Sequence, residues 1–364
     1  MIPRLLIGMD AEMSLDLDMQ YCIDPIDCAL CQKGFAVRTD QDERTPYAGL
    51  SPDLTLDALE SAGFRADGGL TALNSYENRV FQVGIDEGDP VVAKFYRPGR
   101  WSSEAILEEH AFTLELAELE LPCIAPLQRD GRTLFEHQGF RFAVFPRQAG
   151  RAPDIEAPGV LAIIGRALGR LHAAGAVRPF AHRAALTAQR FGVDAMRFLL
   201  DGDFIPLEMT AAYEAVAGQL LDRIEPFMDS VAVTQRIHGD CHLGNVLWRH
   251  EAPNIVDFDD TLMGPPIQDL WMLLSGERSE RTAQLDKLAK AYDAFHPFDP
   301  RETRLIESLR TLRLMRHAAW IGRRWSDPAF PLAFPWFDTP RYWSEHILSL
   351  KEQLAALDEP PLTL

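Results

Sequence analysis

The chain has 364 residues, with 36 Lys and Arg against 54 Asp and Glu, so its formal net charge is −18. A 47% hydrophobic and 25% charged composition is that of a globular chain, which excludes wholesale disorder, a collagen-like repeat and a coiled coil; at about 100–200 residues per domain, two or three domains fit. The acidic balance argues against a nucleic-acid or anionic-membrane partner, both of which need a cationic footprint, and no apolar run approaches the about 20 residues of a membrane span.

Residues 1–45 have no clear periodicity. Their short apolar patch meets Asp10 and Glu12 almost at once, unlike a signal peptide. A poorly ordered extension, or a start codon upstream of the true one, is expected here, on a cytoplasmic protein. Cys22, Cys28 and Cys31 fall in this stretch, and Cys123 and Cys241 stand alone, which is no disulfide framework. Cys28-x-x-Cys31 has no second pair behind it and its nearest His is His110, so it reads as reduced thiols rather than a zinc site.

A helix is expected after Ser51-Pro52-Asp53, with Leu54, Leu56, Ala58, Leu59 and Ala62 roughly on one face and Gly63 as its stop. From Gly68 the period becomes that of strands, at 70–73, 79–83 and 91–96, separated by turn-forming stretches at 74–78 and 86–90. A helix capped by Ser102 or Ser103 runs through ILEEHAFTLELAEL, and strands follow at 133–135 and 140–145. After Pro146 the chain turns helical, at 159–173, at 213–228 and over most of 279–357, where the Pro- and aromatic-rich WSDPAFPLAFPWFDTPRYW interrupts it. The expected class is α+β: a small antiparallel sheet with one main helix at 46–146, then a mostly helical lobe at 147–364.

The segment His238-Gly239-Asp240-Cys241-His242-Leu243-Gly244-Asn245 carries the strongest chemical signal, with Asp257 twelve residues after Asn245. Val246–Trp248 and Asn254–Val256 are β-prone strips around a turn, so they predict a hairpin that returns Asp257 beside Asn245. Asp240, on the loop feeding the hairpin, then stands apart as a base. The Asn245 amide oxygen and the Asp257 carboxylate converge on a hard cation. Phosphoryl transfer from a nucleotide needs this arrangement.

HGDCHLGN with VDFDD resembles the catalytic and metal loops of the aminoglycoside phosphotransferase and choline kinase family, a branch of the protein-kinase-like fold. LNSYENRVFQV, VVAKFYRPGRW, ILEEHAF, HQGFRFAVFP, GPPIQDLWMLLSG and RRWSDPAFPLAFPW extend the resemblance over roughly residues 50–364, toward its bacterial Ser/Thr protein kinases. It implies a two-lobed fold with a nucleotide-binding N-lobe at 46–146 and a catalytic, substrate-binding C-lobe at 147–364. ATP is the implied co-substrate and Mg2+ the implied cofactor. By position, Asp240 is the implied proton acceptor, and Asn245 and Asp257 the implied Mg2+ ligands. Asp259 stands where ordinary protein kinases carry Gly, and either holds the metal loop or assists a second Mg2+.

Lys94 is the sole lysine between residues 34 and 286, and it lies inside an apolar strand, where an ammonium must be paired or face a cleft. In a kinase it contacts the nucleotide phosphates and pairs with a Glu of the next helix: Glu109 first, Glu108 second, with Glu104 also available. There is no GxGxxG, so the turn 74–78 must cover the phosphates, and the resemblance places an ATP-contacting Ser at Ser75. At the lobe junction the Phe145 carbonyl and the Arg147 N–H are expected to read adenine. Asp269 is expected to buttress the catalytic loop, and His172, His238 and His242 to pack or hydrogen-bond. Cys241 reads as a loop filler, with an oxidant-sensitive thiol as the alternative.

The first functional expectation is an ATP- and Mg2+-dependent Ser/Thr protein kinase. The second is a small-molecule kinase of the aminoglycoside, choline or homoserine type, which the acidic net charge favours. A non-catalytic pseudokinase scaffold is the third, and the full set of Lys94, Asp240, Asn245 and Asp257 argues against it. A monomer is expected. Only residues 261–263 separate Asp260 from Gly264, so no activation loop is in view.

Overall fold

A computed structural model describes residues 45–229 and 234–364. The expected N-terminal extension, with Cys22, Cys28 and Cys31, lies outside the described residues but for its last position. Helix α1 (Pro52–Ser61) starts where the Ser51 hydroxyl accepts the Leu54 N–H at 3.1 Å, and Pro52 fills a position that needs no N–H. Strands β1 (Ala66–Leu73), β2 (Arg79–Ile85) and β3 (Val91–Phe95) follow, then α2 (Ser103–Glu118), β4 (Phe135–His137) and β5 (Phe140–Pro146). The five strands form one antiparallel sheet in the order β1-β2-β3-β5-β4.

This is the β-β-β-α-β-β order expected from the sequence, with β1 beginning four residues early and β4 two residues late. Thr133 is not in the strand; its hydroxyl meets His110 Nδ1 at 2.8 Å instead. Alternation divides the sheet between two helices. Ala93, Phe95, Phe142 and Val144 pack with Ala58 and Leu59 of α1 and with Phe64. Tyr96, Ala143 and Phe145 pack with Ile106 of α2, and Lys94 shares their parity. That parity puts the lone lysine on the face that looks toward α2.

The second lobe is built from α3 (Val160–Gly175), a π turn (Gln189–Val193) running into α4 (Asp194–Asp201), α5 (Leu207–Asp229), α6 (Ile267–Trp271), α7 (Arg278–Tyr292), α8 (Ile306–Arg324), α9 (Ala329–Ala333) and α10 (Pro340–Ala356). Among them sit β6 (Gln235–Ile237), β7 (Val246–Arg249), β8 (Ala252–Ile255) and β9 (Leu262–Gly264), paired as β6–β9 and β7–β8. Phe112 and Leu116 of α2 belong to this lobe's core, so α2 packs on both lobes. The β6–β9 pair and the π turn are additions to the sequence-based reading. Three-residue strands and an i→i+5 turn leave no periodicity to detect. Among the described residues no helix is long and apolar enough to cross a membrane.

Candidate active site

The loop between β6 and β7 is held before its side chains act. Gly239 turns it at φ 84°, and a Cβ there would lie 2.5 Å from the Asp260 carbonyl, so only glycine fits. Buried Asp269 on α6 takes the loop from beneath: Oδ1 accepts the Gly239 N–H and Oδ2 the His238 N–H, each at 2.8 Å. His172 Nε2 also reaches Oδ2 at 2.9 Å, and the Tyr292 hydroxyl holds its other nitrogen at 2.9 Å. The His238 ring donates from Nε2 to the Val256 carbonyl at 2.9 Å, which leaves Nδ1 to accept the Asp240 N–H at 3.3 Å. Asp269 and these histidines act as supports, as the sequence suggests.

Asp240 keeps 27% of its side chain exposed. Arg313 of α8 donates to its Oδ1 at 2.5 Å, and His242 Nε2 stands 3.7 Å from Oδ2. Burial works to raise this carboxyl, but the Arg313 guanidinium and the His242 ring outweigh it and hold it below the usual carboxylate range. The group is an anion, with one oxygen engaged.

The β7–β8 hairpin returns the chain as its spacing predicts. The Val256 N–H donates to the Asn245 carbonyl at 3.0 Å, and the Asn245 amide nitrogen donates to the Asp240 carbonyl at 2.9 Å. The side-chain oxygen of Asn245 takes no part in that bond. Asp257 follows β8 in the left-handed region, φ 59° and ψ 63°, which costs a non-glycine residue on the order of 1 kcal/mol and marks a constrained position. Its carboxylate is 55% exposed.

Opposite lies Lys94, whose Nζ is 2.9 Å from Asp257, 3.2 Å from Asp259 and 4.0 Å from Glu109. Burial works to lower its pKa, but the three carboxylates hold it well above the usual lysine value. Of the three candidate glutamates, Glu109 is the one that reaches Lys94, although Arg183 sits closer to it, at 2.7 Å. Glu108 accepts the backbone N–H groups of Ala181, His182 and Arg183 at 2.6, 2.7 and 2.9 Å. Glu104 is exposed on the first turn of α2.

Asp259 and Asp260 fasten the loop after β8 to the N-lobe. Asp259 pairs with Arg100 and accepts from the Asn78 amide at 3.2 Å; Asp260 Oδ1 meets Arg100 and Arg316, each at 2.9 Å. The turn between β1 and β2 is tied down as well. Buried Glu77 accepts from Trp320 Nε1 at 2.5 Å and from Arg324 at 3.0 Å, and the Tyr76 ring packs 5.0 Å from Phe334. Ser75 is half-buried beside them on the same turn. The aromatic segment 325–343 therefore packs on this turn and on α8, through Phe330 and Phe334 against Trp320.

At the lobe junction the strand register sets which carbonyls face the cleft. The Tyr96 N–H donates to the Arg141 carbonyl, while the Val144 carbonyl turns the other way, to the Leu127 N–H at 2.7 Å. Antiparallel alternation then directs the Phe145 carbonyl into the β3 ladder opposite Val92, and the Pro146 carbonyl outward. Phe145 keeps its side chain on the Lys94 face, and the exposed Arg147 side chain donates to Gln82 at 2.6 Å. Cys241 is fully buried, and burial, Asp269 and Asp240 all push its thiol up, which leaves the oxidant-sensitive reading without support.

Several residues of this site escaped sequence reasoning. Arg313 and Arg316 are two among five arginines on α8, with nothing local to set them apart from a solvated face. Arg97 and Arg100 stand in FYRPGRW, where their proximity to Lys94 was a usable signal.

The sequence pattern of the phosphotransferase enzyme family matches residues 69–306. Stress response kinase A of Escherichia coli O157:H7 is 44% identical over 318 residues, covering 87% of this chain and 97% of that protein. Serine/threonine protein kinase RdoA of Salmonella typhimurium is 43% identical over 323 residues, covering 89% and 98%. Among solved structures, amicoumacin kinase hAmiN in complex with AMP-PNP, Ca2+ and Ami aligns with a TM-score of 0.67 at 17% identity, over 85% of this chain and 95% of that one. A microcompartment-associated aminopropanol kinase aligns with a TM-score of 0.65 at 18% identity, over 85% and 100%. These alignments show the two-lobed, kinase-like fold.

Proposed function

This chain belongs to the phosphotransferase enzyme family, and from that premise we propose that it is an ATP- and Mg2+-dependent Ser/Thr protein kinase, cytoplasmic and working as a monomer. The observation that carries the reading is the 2.9 Å pair of Lys94 with Asp257, beside a loop in which Asn245 is bonded to Asp240. The names of the stress response kinase A and RdoA relatives support a protein acceptor.

The donor set suits magnesium. Among the described residues no three His, Cys, Asp or Glu side chains form a metal cluster. An amide oxygen from Asn245 and a half-exposed carboxylate from Asp257 are what Mg2+ takes when substrate phosphates complete its shell. When bound, Mg2+ supplies neutralising charge on those phosphates.

Asp240 accepts a hydrogen bond from the acceptor hydroxyl through the oxygen that Arg313 leaves open. As the hydroxyl oxygen bonds to the γ-phosphorus and the bond to the ADP leaving group breaks, its proton passes to Asp240. A carboxylate held this acidic is a weak base, so it orients first and takes the proton late, which suits a loose transition state. Lys94 sets its charge on the phosphates and holds Asp257 in place. Ser75 and the N–H groups of its turn cover the phosphates. The Pro146 carbonyl, with the next outward N–H, reads adenine where Phe145 and Arg147 were expected to.

Labelled ATP with the purified chain and a generic protein tests the reading. Phosphate on Ser or Thr is the expected result, abolished in Asp240→Asn. Transfer only to a small alcohol or amine overturns it in favour of a small-molecule kinase. Nucleotide binding without turnover leaves a scaffold.

A further inference from the structure

The net charge of −18 is not what the surface beside Asp240 presents. Arg313, Arg316 and Arg323 lie on α8, and Arg190 on the adjoining π turn. Arg316 lies 4.1 Å over the Phe191 ring and Arg323 4.6 Å over Phe198, so aromatic faces hold both guanidinium groups in place. Arg313 and Arg316 are matched by Asp240 and Asp260, and Arg100 already shares Asp260.

The other two lack such partners. Arg323 donates to the Asp194 backbone carbonyl at 3.1 Å, and the Asp194 carboxylate is taken up by Gln189 at 2.7 Å. Among the described residues neither Arg190 nor Arg323 has an ion-pair partner. Burial lowers both guanidinium groups, and neighbouring arginines lower them further, Arg316 on Arg190 and Arg324, Arg190 and Arg316 on Arg323; Asp194 works against this at both and Asp260 at Arg190, without reversing it. The cluster is a patch in which four guanidinium groups outnumber the carboxylates among them, and it begins at Asp240.

We propose that the acceptor of this kinase is an acidic stretch of polypeptide, a Ser or Thr flanked by Asp or Glu, whose carboxylates meet Arg190, Arg316 and Arg323 while its hydroxyl meets Asp240. This rests on the protein-kinase reading above. Dimensions favour a polypeptide over a small anion: ten residues separate Arg313 from Arg323, about 15 Å at about 1.5 Å per helical residue. The same wall repels a cationic acceptor, which the overall charge would otherwise attract.

The test uses the full chain with ATP, Mg2+ and two Ser peptides that differ only in flanking Glu or flanking Lys. The Glu peptide is expected to have a kcat/KM about tenfold higher or more at low ionic strength, the preference fading near about 1 M salt, where charges are screened beyond about 3 Å. Arg190→Gln with Arg323→Gln brings the ratio toward one, and the Lys versions of both changes retain it. A merely structural arginine would lower both peptides alike. Equal use of the two peptides, or preference for Lys, overturns the inference. If neither peptide is phosphorylated while a small alcohol is, the protein-kinase reading fails. Competition against that turnover by poly-glutamate but not poly-lysine then supports the anion-binding wall, and its absence overturns it.

Discussion

Arg313 on α8 and Asp240 on the loop before β7 form a direct ion pair, Nη1 to Oδ1 at 2.5 Å, across 73 residues of chain. Residues 241–245 contain no Lys or Arg, so the cation beside this carboxylate comes from a distant helix. Asp240 works as the anion, and Arg313 keeps it one against the cost of burial.

The acid limb of kcat/KM should therefore lie below the ordinary carboxylate pKa of about 3.9 in the wild type. Arg313→Met removes the charge that lowers Asp240 and leaves burial, so the limb should move upward; Arg313→Lys should keep it low. An unmoved profile in Arg313→Met would sink this assignment.

Asp240→Ala should leave binding of an ATP analogue nearly intact and lower turnover on the order of 10²–10⁴-fold. Asp257→Ala should instead weaken nucleotide binding and raise the Mg2+ concentration needed. Analogue titrations at several Mg2+ concentrations separate the two, and equal, mild losses would count against the division of roles.

Glu77 fastens the turn between β1 and β2 to Trp320 and Arg324. Glu77→Ala strands buried cations and should cost roughly 3 kcal/mol of stability, with KM for ATP rising more than kcat falls. Trp320→Phe, which deletes a hydrogen bond to a carboxylate and part of the packing on Phe330 and Phe334, should cost about 2–3 kcal/mol. Denaturant melts and ATP kinetics check both; an unchanged KM in Glu77→Ala would mean that the turn does not need this anchor.

Glu302 offers a pH test away from the site. Its Oε2 accepts the Ile267 N–H at 3.0 Å, and burial raises its pKa from 4.5 to about 7. The folded chain thus binds the extra proton between these values, and stability is lost as pH rises through about 7. Glu302→Gln should raise stability at pH about 8 by roughly 2–3 kcal/mol and change little at about pH 4. Thermal melts at the two pH values decide it, and an equal shift at both would contradict the raised pKa.

What the sequence made legible was local. Alternation and caps gave α1, the sheet strands and α2. A hairpin of fixed spacing brought Asn245 and Asp257 to one end without knowledge of the rest of the fold. Lys94 stood out because an ammonium in an apolar strand needs a reason. Arg313 did not, since an arginine on an amphipathic helix normally faces water and only the packing of α8 sets it on Asp240. The Phe145 carbonyl depended on the register of β5 against β3, which no local pattern states. Thr133 left its strand for His110, a side-chain bond that outcompeted a short β pairing.

Helix α2 is bolted to the other lobe by five hydrogen bonds: three backbone N–H groups on Glu108, and Arg183 on the Ala105 carbonyl and on Glu109. Enzymes that are silenced by swinging this helix aside need it loose, and here an outward swing would strand a buried arginine and two glutamates together. Inhibitors that work by levering such a helix outward should find no foothold, whereas compounds that crowd the adenine cleft should.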